Sequence, residues 1–172
     1  MSGAPTRPLP AALLVVSDRA AAGTRPDATA ALLAPVLAAA GFHLGDVVVV
    51  PDEIPAIEAA LRARLGTARL LLTTGGTGVA PRDVTPEATR RVIEKEVPGL
   101  VEEIRRRSAV TNLKALGSRA VAGTAGRALL LNLPGRPAGA VEAFEFVAPV
   151  LPHLLALLAG PVDDMSHAPG GG

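Results

Sequence analysis

The chain has no cysteine, no tryptophan and no tyrosine, and only 3 phenylalanines among its 172 residues. Without thiols there is no disulfide, no thiolate metal site and no cysteine nucleophile. With so few rings, the core has to be built from alanine, valine and leucine. Charge nearly cancels: 17 Lys and Arg against 16 Asp and Glu leave a net charge of +1, which removes the electrostatic case for a nucleic-acid partner. Lysine occurs only at Lys95 and Lys114, and neither closes a glycine-rich loop, so a P-loop is excluded. His43, His153 and His167 are scattered without metal-ligand spacing, and His153 reads as a packed residue of an apolar helix. The basic run Arg105 to Arg107 lies one turn from Glu102 and Glu103 and reads as a solvated helix face. The longest apolar run, Phe146 to Gly160, is interrupted by Pro149, Pro152 and His153 and falls short of the roughly 20 residues of a membrane span. The first ten residues carry three prolines and no cationic start to an apolar segment, so no secretory signal is read and a cytoplasmic location is expected.

What remains is an alternation of short apolar runs and helical patterns. The length suits one domain: a flexible arm over 1–10, a single α/β domain over 11–160 and a flexible tail over 161–172. Ala11 to Ser17, Val47 to Val50 and Arg69 to Thr74 read as strands. Helices are expected over Asp27 to Ala40, stopped by Gly41, and over Ile54 to Leu65, where apolar residues recur at 54, 57, 61 and 65. Further helices are expected over Pro86 to Lys95 and Leu100 to Arg107, separated at Pro98-Gly99. Ala120 to Gly123 and Ala128 to Leu131 form a candidate hairpin, and Ala138 to Leu158 a long final helix kinked at Pro149 and Pro152. The fold class that follows is α/β, a three-layer sandwich with a mostly parallel, Rossmann-like sheet plus a small antiparallel hairpin. In such sheets polar loops at the strand ends gather at one edge, where ligands bind.

One stretch concentrates the chemistry. Residues 73–87 read Thr-Thr-Gly-Gly-Thr-Gly-Val-Ala-Pro-Arg-Asp-Val-Thr-Pro-Glu. Gly75, Gly76 and Gly78 remove the Cβ atoms that would hold a ligand off the backbone, leaving amide groups for anionic oxygens. Asp83 sits just ahead of a helix with Thr85 as its expected N-cap and Pro86 as its first helical residue. A carboxylate beside a phosphate cradle suits Mg²⁺, which takes hard oxygens together with phosphate oxygens. Each element also has a plainer reading: Gly-Gly-Thr-Gly as a strand-to-helix turn, and Asp52 and Asp83 as helix caps. Glu53 and Glu87 read as solvated. On residue chemistry alone the chain is a Mg²⁺-dependent nucleotide- or phosphoester-binding protein.

Four further segments extend the pattern: Leu14-Val15-Val16-Ser17-Asp18-Arg19, Val50-Pro51-Asp52-Glu53, Ser118-Arg119-Ala120-Val121-Ala122-Gly123 and Leu131-Asn132-Leu133-Pro134-Gly135. With the 73–87 string they resemble, in order and spacing over nearly the whole chain, the Mog/MoaB-type molybdopterin-binding family. The resemblance implies a molybdopterin adenylyltransferase of molybdenum cofactor biosynthesis, with ATP as co-substrate, molybdopterin as substrate and Mg²⁺ as cofactor. It implies catalytic and metal-holding roles for Asp52 and Asp83. Nucleotide and phosphate contacts fall to Thr74, Gly75, Gly76, Thr77, Gly78, Pro134 and Gly135, and pterin contacts to Ser17, Asp18, Ser118 and Asn132. It also implies a homotrimer, with other enzymes of the same biosynthesis as partners, and neither a nucleic-acid nor a membrane partner. The alternatives are a non-catalytic molybdopterin-binding paralogue and a pyrophosphatase-type hydrolase of the same fold. Two departures stand out: Ala28-Thr29-Ala30 follows Asp27 where relatives have a Ser-Gly or similar small pair, and Arg136 stands where many relatives carry a small or amide residue.

Overall fold

The computed structural model describes residues 7–23 and 28–160. The expected tail over 161–172, most of the expected arm, the start of the helix at Asp27, and His167 lie outside the described residues. Strand β1 (Leu9–Val16) leads into a single turn of helix, α1 (Asp18–Ala21). Helix α2 (Thr29–Ala39), strand β2 (Phe42–Val50), helix α3 (Ile54–Arg62), strand β3 (Leu70–Thr74) and helix α4 (Thr85–Arg90) follow. Strand β4 (Lys95–Glu96), helix α5 (Pro98–Ser108), a 3₁₀ turn (Leu113–Gly117), strands β5 (Ala122–Ala125) and β6 (Ala128–Leu133), and helix α6 (Pro137–Val147) come next. A 3₁₀ turn (Ala148–Val150) and helix α7 (Leu151–Ala159) end the domain. The six strands form one sheet in the order β2-β1-β3-β6-β5-β4. β2, β1, β3 and β6 are parallel, while β5 pairs antiparallel with both β6 and β4.

Alternation along the central strands divides the core in two. Leu13, Val15, Leu70, Leu72, Leu129 and Leu131 face one helix layer with Leu33 and Leu37 of α2, Leu100 and Ile104 of α5, and Phe144 of α6. Ala12, Leu14, Val16, Leu71 and Leu130 face the other with Ile57 and Leu61 of α3 and Ala88 of α4. The strands are buried on both faces, so they read as continuous apolar runs rather than alternating ones. Two of the scarce rings meet edge to face, Phe42 and Phe144, with centroids 6.3 Å apart, a pair contributing about 1 kcal/mol beyond its area burial.

The expected three-layer α/β class stands, and several boundaries move. β1 begins at Leu9, inside the expected arm, because Leu9 and Pro10 pair with Phe42 and His43 of a β2 longer than expected. The helix expected over 86–95 stops at Arg90, since the amides of Glu94 and Val97 donate to Thr124 and Ala122 of β5. Tertiary strand pairing there outweighs helix propensity. Pro98 and Gly99 do not separate helices; they form the first turn of α5, where a proline lacks only an amide the helix leaves unpaired. Arg105 donates to the carbonyls of Ser118 and Ala120, and the Arg107 guanidinium lies 4.2 Å from the Phe146 ring centroid, so the basic run is more than a solvated face. His153 is exposed rather than packed. Helix α6, its 3₁₀ turn and α7 run on as a helical stretch of 23 residues with mean hydropathy 1.6, long and apolar enough to span a bilayer. Its buried residues Ala140, Ala143, Phe144, Val147, Leu151 and Leu155 recur every three or four positions and join the sheet core, the stripe of a helix packed on a sheet.

Chain order reverses between β1 and β3: the connection from β1 leads outward to β2, and that from β2 returns past β1 to β3. The carboxyl ends of β1, β2, β3 and β6 therefore meet at a switch point, the place where open parallel sheets leave a crevice.

Candidate functional site

The residues that follow those four strands are Ser17-Asp18, Pro51-Asp52, Gly75-Gly76 and Pro134-Gly135. The ends of β1, β3 and β6 line a cavity of about 500 Å³ whose walls include Ser17, Thr74, Gly75, Gly135 and Arg136, while Asp52 at the end of β2 lies outside that wall. The two turns that form its floor pack so closely that a Cβ on Gly135 would stand 3.1 Å from the Gly75 Cα.

The glycines of the 75–78 loop have a role that the sequence concealed. Gly75 and Gly76 have φ of +91° and +65°, which L side chains avoid. A Cβ would also collide with the protein itself: at Gly75 with the Val16 carbonyl oxygen at 2.3 Å, at Gly76 with Thr85 Oγ1 at 2.3 Å, and at Gly78 with Asp83 Oδ2 at 2.8 Å. The missing side chains make room for β1, α4 and Asp83 rather than for a ligand. The ligand side of the loop follows from where its carbonyls go. Gly75 O accepts from the Thr85 hydroxyl at 2.9 Å, and Gly76 O accepts from the Thr85 amide at 3.1 Å. Thr77 O accepts from the Arg119 amide at 2.8 Å, and Gly78 O from Arg119 Nε at 2.7 Å. In a trans peptide the C=O and the next N–H point in opposite directions, and no cis bond is present among the described residues. The amides of Gly76, Thr77, Gly78 and Val79 are thus turned away from these anchors, as a run of donors suited to anionic oxygens.

Arg119 is the anchor that the sequence reading overlooked. Besides Gly78, its guanidinium donates to the Asp83 carbonyl at 2.7 Å and pairs with Glu87, so Glu87, though its side chain stays partly exposed, is also ion-paired, and the pairing holds its carboxyl below the usual range. The available signal was the position of Arg119 in the Ser118–Gly123 motif. Thr85 is likewise not an N-cap: Val84 holds that position without a side-chain cap bond, and the Thr85 hydroxyl reaches back to Gly75. Thr89 donates in turn to the Thr85 carbonyl at 2.8 Å.

Asn132 is placed differently from its expected role. It is 1% exposed, its Nδ2 donates to Thr73 Oγ1 at 2.8 Å and Thr89 Oγ1 at 3.0 Å, and its Oδ1 accepts from the Val121 amide at 3.1 Å. Both amide protons and one lone pair of the oxygen tie β3, β6, α4 and the approach to β5 together, and burial keeps the remaining lone pair from a ring. Ser118 stays half-buried beside the loop, its Oγ accepting from the Ala120 amide at 3.3 Å. Pro134 is half-buried at the end of β6, Thr74 is buried at the cavity wall, and Thr77 is buried within the loop.

The acidic residues form a clasp between the ends of β1 and β2. The Asp18 amide donates to Asp52 Oδ2 at 2.9 Å, and the Asp52 amide donates to Asp18 Oδ1 at 3.0 Å. Asp18 also receives the Arg82 guanidinium, which holds its carboxyl below the ordinary range. Asp83 Oδ2 accepts from the Ala80 amide at 3.0 Å, closing a turn. Neither Asp52 nor Asp83 caps the helix that follows it, since Glu53 and Val84 hold those positions without side-chain bonds. Partial burial raises the Asp52 carboxyl above its ordinary range, opposed by the Asp18 amide and reinforced by the negative charges of Asp18 and Asp83.

No group of three His, Cys, Asp or Glu side chains among the described residues is set to hold a metal on its own. Asp52 and Asp83 each use one oxygen in the bonds above, which leaves the other able to coordinate a cation. One or two carboxylates completed by phosphate oxygens and water is the coordination Mg²⁺ prefers, and a cation would relieve the repulsion that burdens Asp52. The donor set therefore fits Mg²⁺ arriving with a phosphate ligand.

The family model described as "Probable molybdopterin binding domain" matches residues 12–153. The chain is 45% identical over 120 residues to molybdenum cofactor synthesis protein cinnamon of Drosophila melanogaster, covering 69% of this chain and 20% of that protein. It is 37% identical over 155 residues to the molybdopterin adenylyltransferase of Helicobacter pylori strain J99, covering 86% of each. The crystal structure of the molybdopterin biosynthesis enzyme MoaB from Thermus thermophilus superposes with a TM-score of 0.83 at 46% identity, over 89% of this chain and 98% of that one.

The raised Asp52 carboxyl has a consequence for stability. A carboxyl whose proton affinity rises on folding adds stability while protonated, below the ordinary carboxylate range, and that stability is lost as the pH climbs through its raised value. Asp52→Asn keeps an acceptor for the Asp18 amide and removes the charge. It is expected to melt above wild type at neutral pH and to match it in acid below the carboxylate range. Thermal unfolding across pH checks this; a variant that melts below wild type at neutral pH contradicts it.

Proposed function

The chain belongs to the molybdopterin-binding domain family, and we propose that it is a molybdopterin adenylyltransferase, transferring AMP from Mg-ATP to the terminal phosphate of molybdopterin with release of pyrophosphate. The relatives support a role in molybdenum cofactor biosynthesis. The single observation that carries the finer reading is the 75–78 loop, whose four inward carbonyls leave a row of outward amides beside two aspartates.

In this reading the amides of residues 76–79 hold phosphate oxygens of ATP. An oxygen of the pterin phosphate forms a bond to the α-phosphorus in line with the bond that breaks, and pyrophosphate leaves with that bonding pair. The protein supplies position and fixed charge, and no side chain becomes covalently attached. Asp52 and Asp83 would hold Mg²⁺, which supplies charge neutralisation at the phosphates. Ser17, on the cavity wall, and Ser118, beside the loop, offer hydroxyls to the pterin, while Asn132 serves by fixing β3 against α4. Arg136, exposed on the cavity wall, makes no ion pair among the described residues and is placed to tune anion affinity.

The same reading has the chain assemble as a homotrimer. Leu32 on α2 and Val47 and Val49 on the edge strand β2 remain 46%, 45% and 40% exposed, an apolar surface of the kind subunit contacts cover. Light scattering is expected to give three times the chain mass, and a monomer at micromolar concentration contradicts the assembly.

Activity is tested on the aspartates. Asp52→Ala and Asp83→Ala are each expected to lower turnover on the order of 10² to 10³, as for other preorganised charge sites. The double variant is expected to lose far less than the product, since both act on one ion. The readout is adenylylated product and pyrophosphate from molybdopterin and Mg-ATP. Wild-type activity in the double variant would overturn the assignment.

A further inference from the structure

Arg82 is bound to Asp18 through Nε to Oδ2 at 3.0 Å and Nη2 to Oδ1 and Oδ2 at 2.8 and 2.7 Å. The two side chains are 62% and 43% exposed, so the pair is screened by solvent and held weakly. Its fork presents the geometry that also grips a phosphate. The other guanidinium on this loop, Arg119, is committed to Gly78, Asp83 and Glu87. Among the described residues, the Arg82 side chain makes its hydrogen bonds to Asp18 and to no residue of the loop. The Asp83 backbone is fixed on both sides of its peptide, by its amide to the Ala80 carbonyl and its own carbonyl to Arg119. Asp18 keeps its place without Arg82 as well, because its carboxylate still accepts from the Asp52 amide and its amide still donates to Asp52. The Arg82 side chain can therefore leave Asp18 while loop and clasp stay.

We propose that Arg82 is an exchangeable cation: it releases the Asp18 carboxylate and takes a phosphate of the incoming nucleotide, an inference that rests on the nucleotide reading above. The exchange has a cost that links it to a divalent cation. Once Arg82 has turned to phosphate, Asp18 stands uncompensated beside Asp52, with Asp83 close enough for its charge to act on Asp52. Without a cation, the phosphate must compete with Asp18 for Arg82 and also enter a field of three carboxylates. With Mg²⁺ the carboxylates are compensated and Arg82 is free to move. Asp18 thus acts as an internal competitor that keeps metal-free nucleotide out.

Calorimetric titration of ATP, with Mg²⁺ and with EDTA, tests this on wild type, Arg82→Gln, Arg82→Lys, Asp18→Asn and the double variant Asp18→Asn/Arg82→Gln. Thermal unfolding on each confirms the fold. Arg82→Gln is expected to weaken ATP in Mg²⁺ by about tenfold, the size of a charge-assisted bidentate contact, with Arg82→Lys in between. Asp18→Asn is expected to tighten ATP in EDTA by about threefold to tenfold by freeing the arginine, and the double variant to lose that gain. Weakened ATP binding in Asp18→Asn would make the pair a brace and overturn the exchange. A gain that persists in the double variant would assign it to charge relief alone and overturn the exchange equally. A wild type that binds no ATP under either condition overturns the nucleotide reading and the exchange with it; wild-type binding with an unchanged Arg82→Gln overturns only the exchange.

Discussion

Four consecutive carbonyls, from Gly75 to Gly78, are each held by one of two residues, Thr85 and Arg119. Everything else at the site is arranged around that constraint. A peptide plane cannot turn its carbonyl inward without turning its amide outward, so anchoring the acceptors is also how the donors are aimed. The anchoring demands backbone contacts too close for any side chain, which is why Gly75, Gly76 and Gly78 are glycine: Val16, Thr85 and Asp83 occupy the space where a Cβ would be. Behind the loop, the saturated amide of Asn132 and the hydroxyls of Thr73 and Thr89 hold β3 against α4. The loop is thereby built on two rigid elements rather than left to its own flexibility.

The charges are arranged with equal economy. Asp18 and Asp52 exchange backbone hydrogen bonds across the ends of β1 and β2, which fixes two carboxylates at the switch point. Their placement has a cost, seen in the raised Asp52 carboxyl, which comes first from partial burial and then from the charges of Asp18 and Asp83. A functional site that keeps like charges together at the expense of stability is a familiar trade. Arg82 offsets part of that charge from the outside, on an exposed loop, where it is weakly held.

Much of this was legible in the chain. Buried parallel strands announce themselves as continuous apolar runs, and Leu13 to Val16, Leu70 to Leu72 and Leu129 to Leu131 did so. Glycines, aspartates and the residues after each strand marked the crevice. The misread positions share one physical cause, contacts distant in sequence. Lys95 and Glu96 form a strand only because β5 lies beside them. Thr85 looks like a helix cap until Gly75 is found opposite its hydroxyl. Asn132 looks like a recognition residue until it is seen buried, with both amide protons on Thr73 and Thr89 and its oxygen accepting from Val121. Arg119 is 36 residues from Asp83 in sequence, so no local pattern could assign it to the loop. The glycines were identified correctly as special, with the wrong neighbour in mind: the atoms they admit belong to the protein.

The central claim is that the amides of Gly76, Thr77, Gly78 and Val79 form one row of donors aimed at phosphate. Its most direct test is amide-resolved NMR of the isotopically labelled protein during titration with Mg-ATP. The account predicts that the largest amide shifts and the strongest gain in exchange protection fall on residues 76 to 79, with the amides of Thr85 and Arg119, already bonded to the loop, moving little. Shifts concentrated elsewhere, with residues 76 to 79 unchanged while ATP is demonstrably bound, would contradict it.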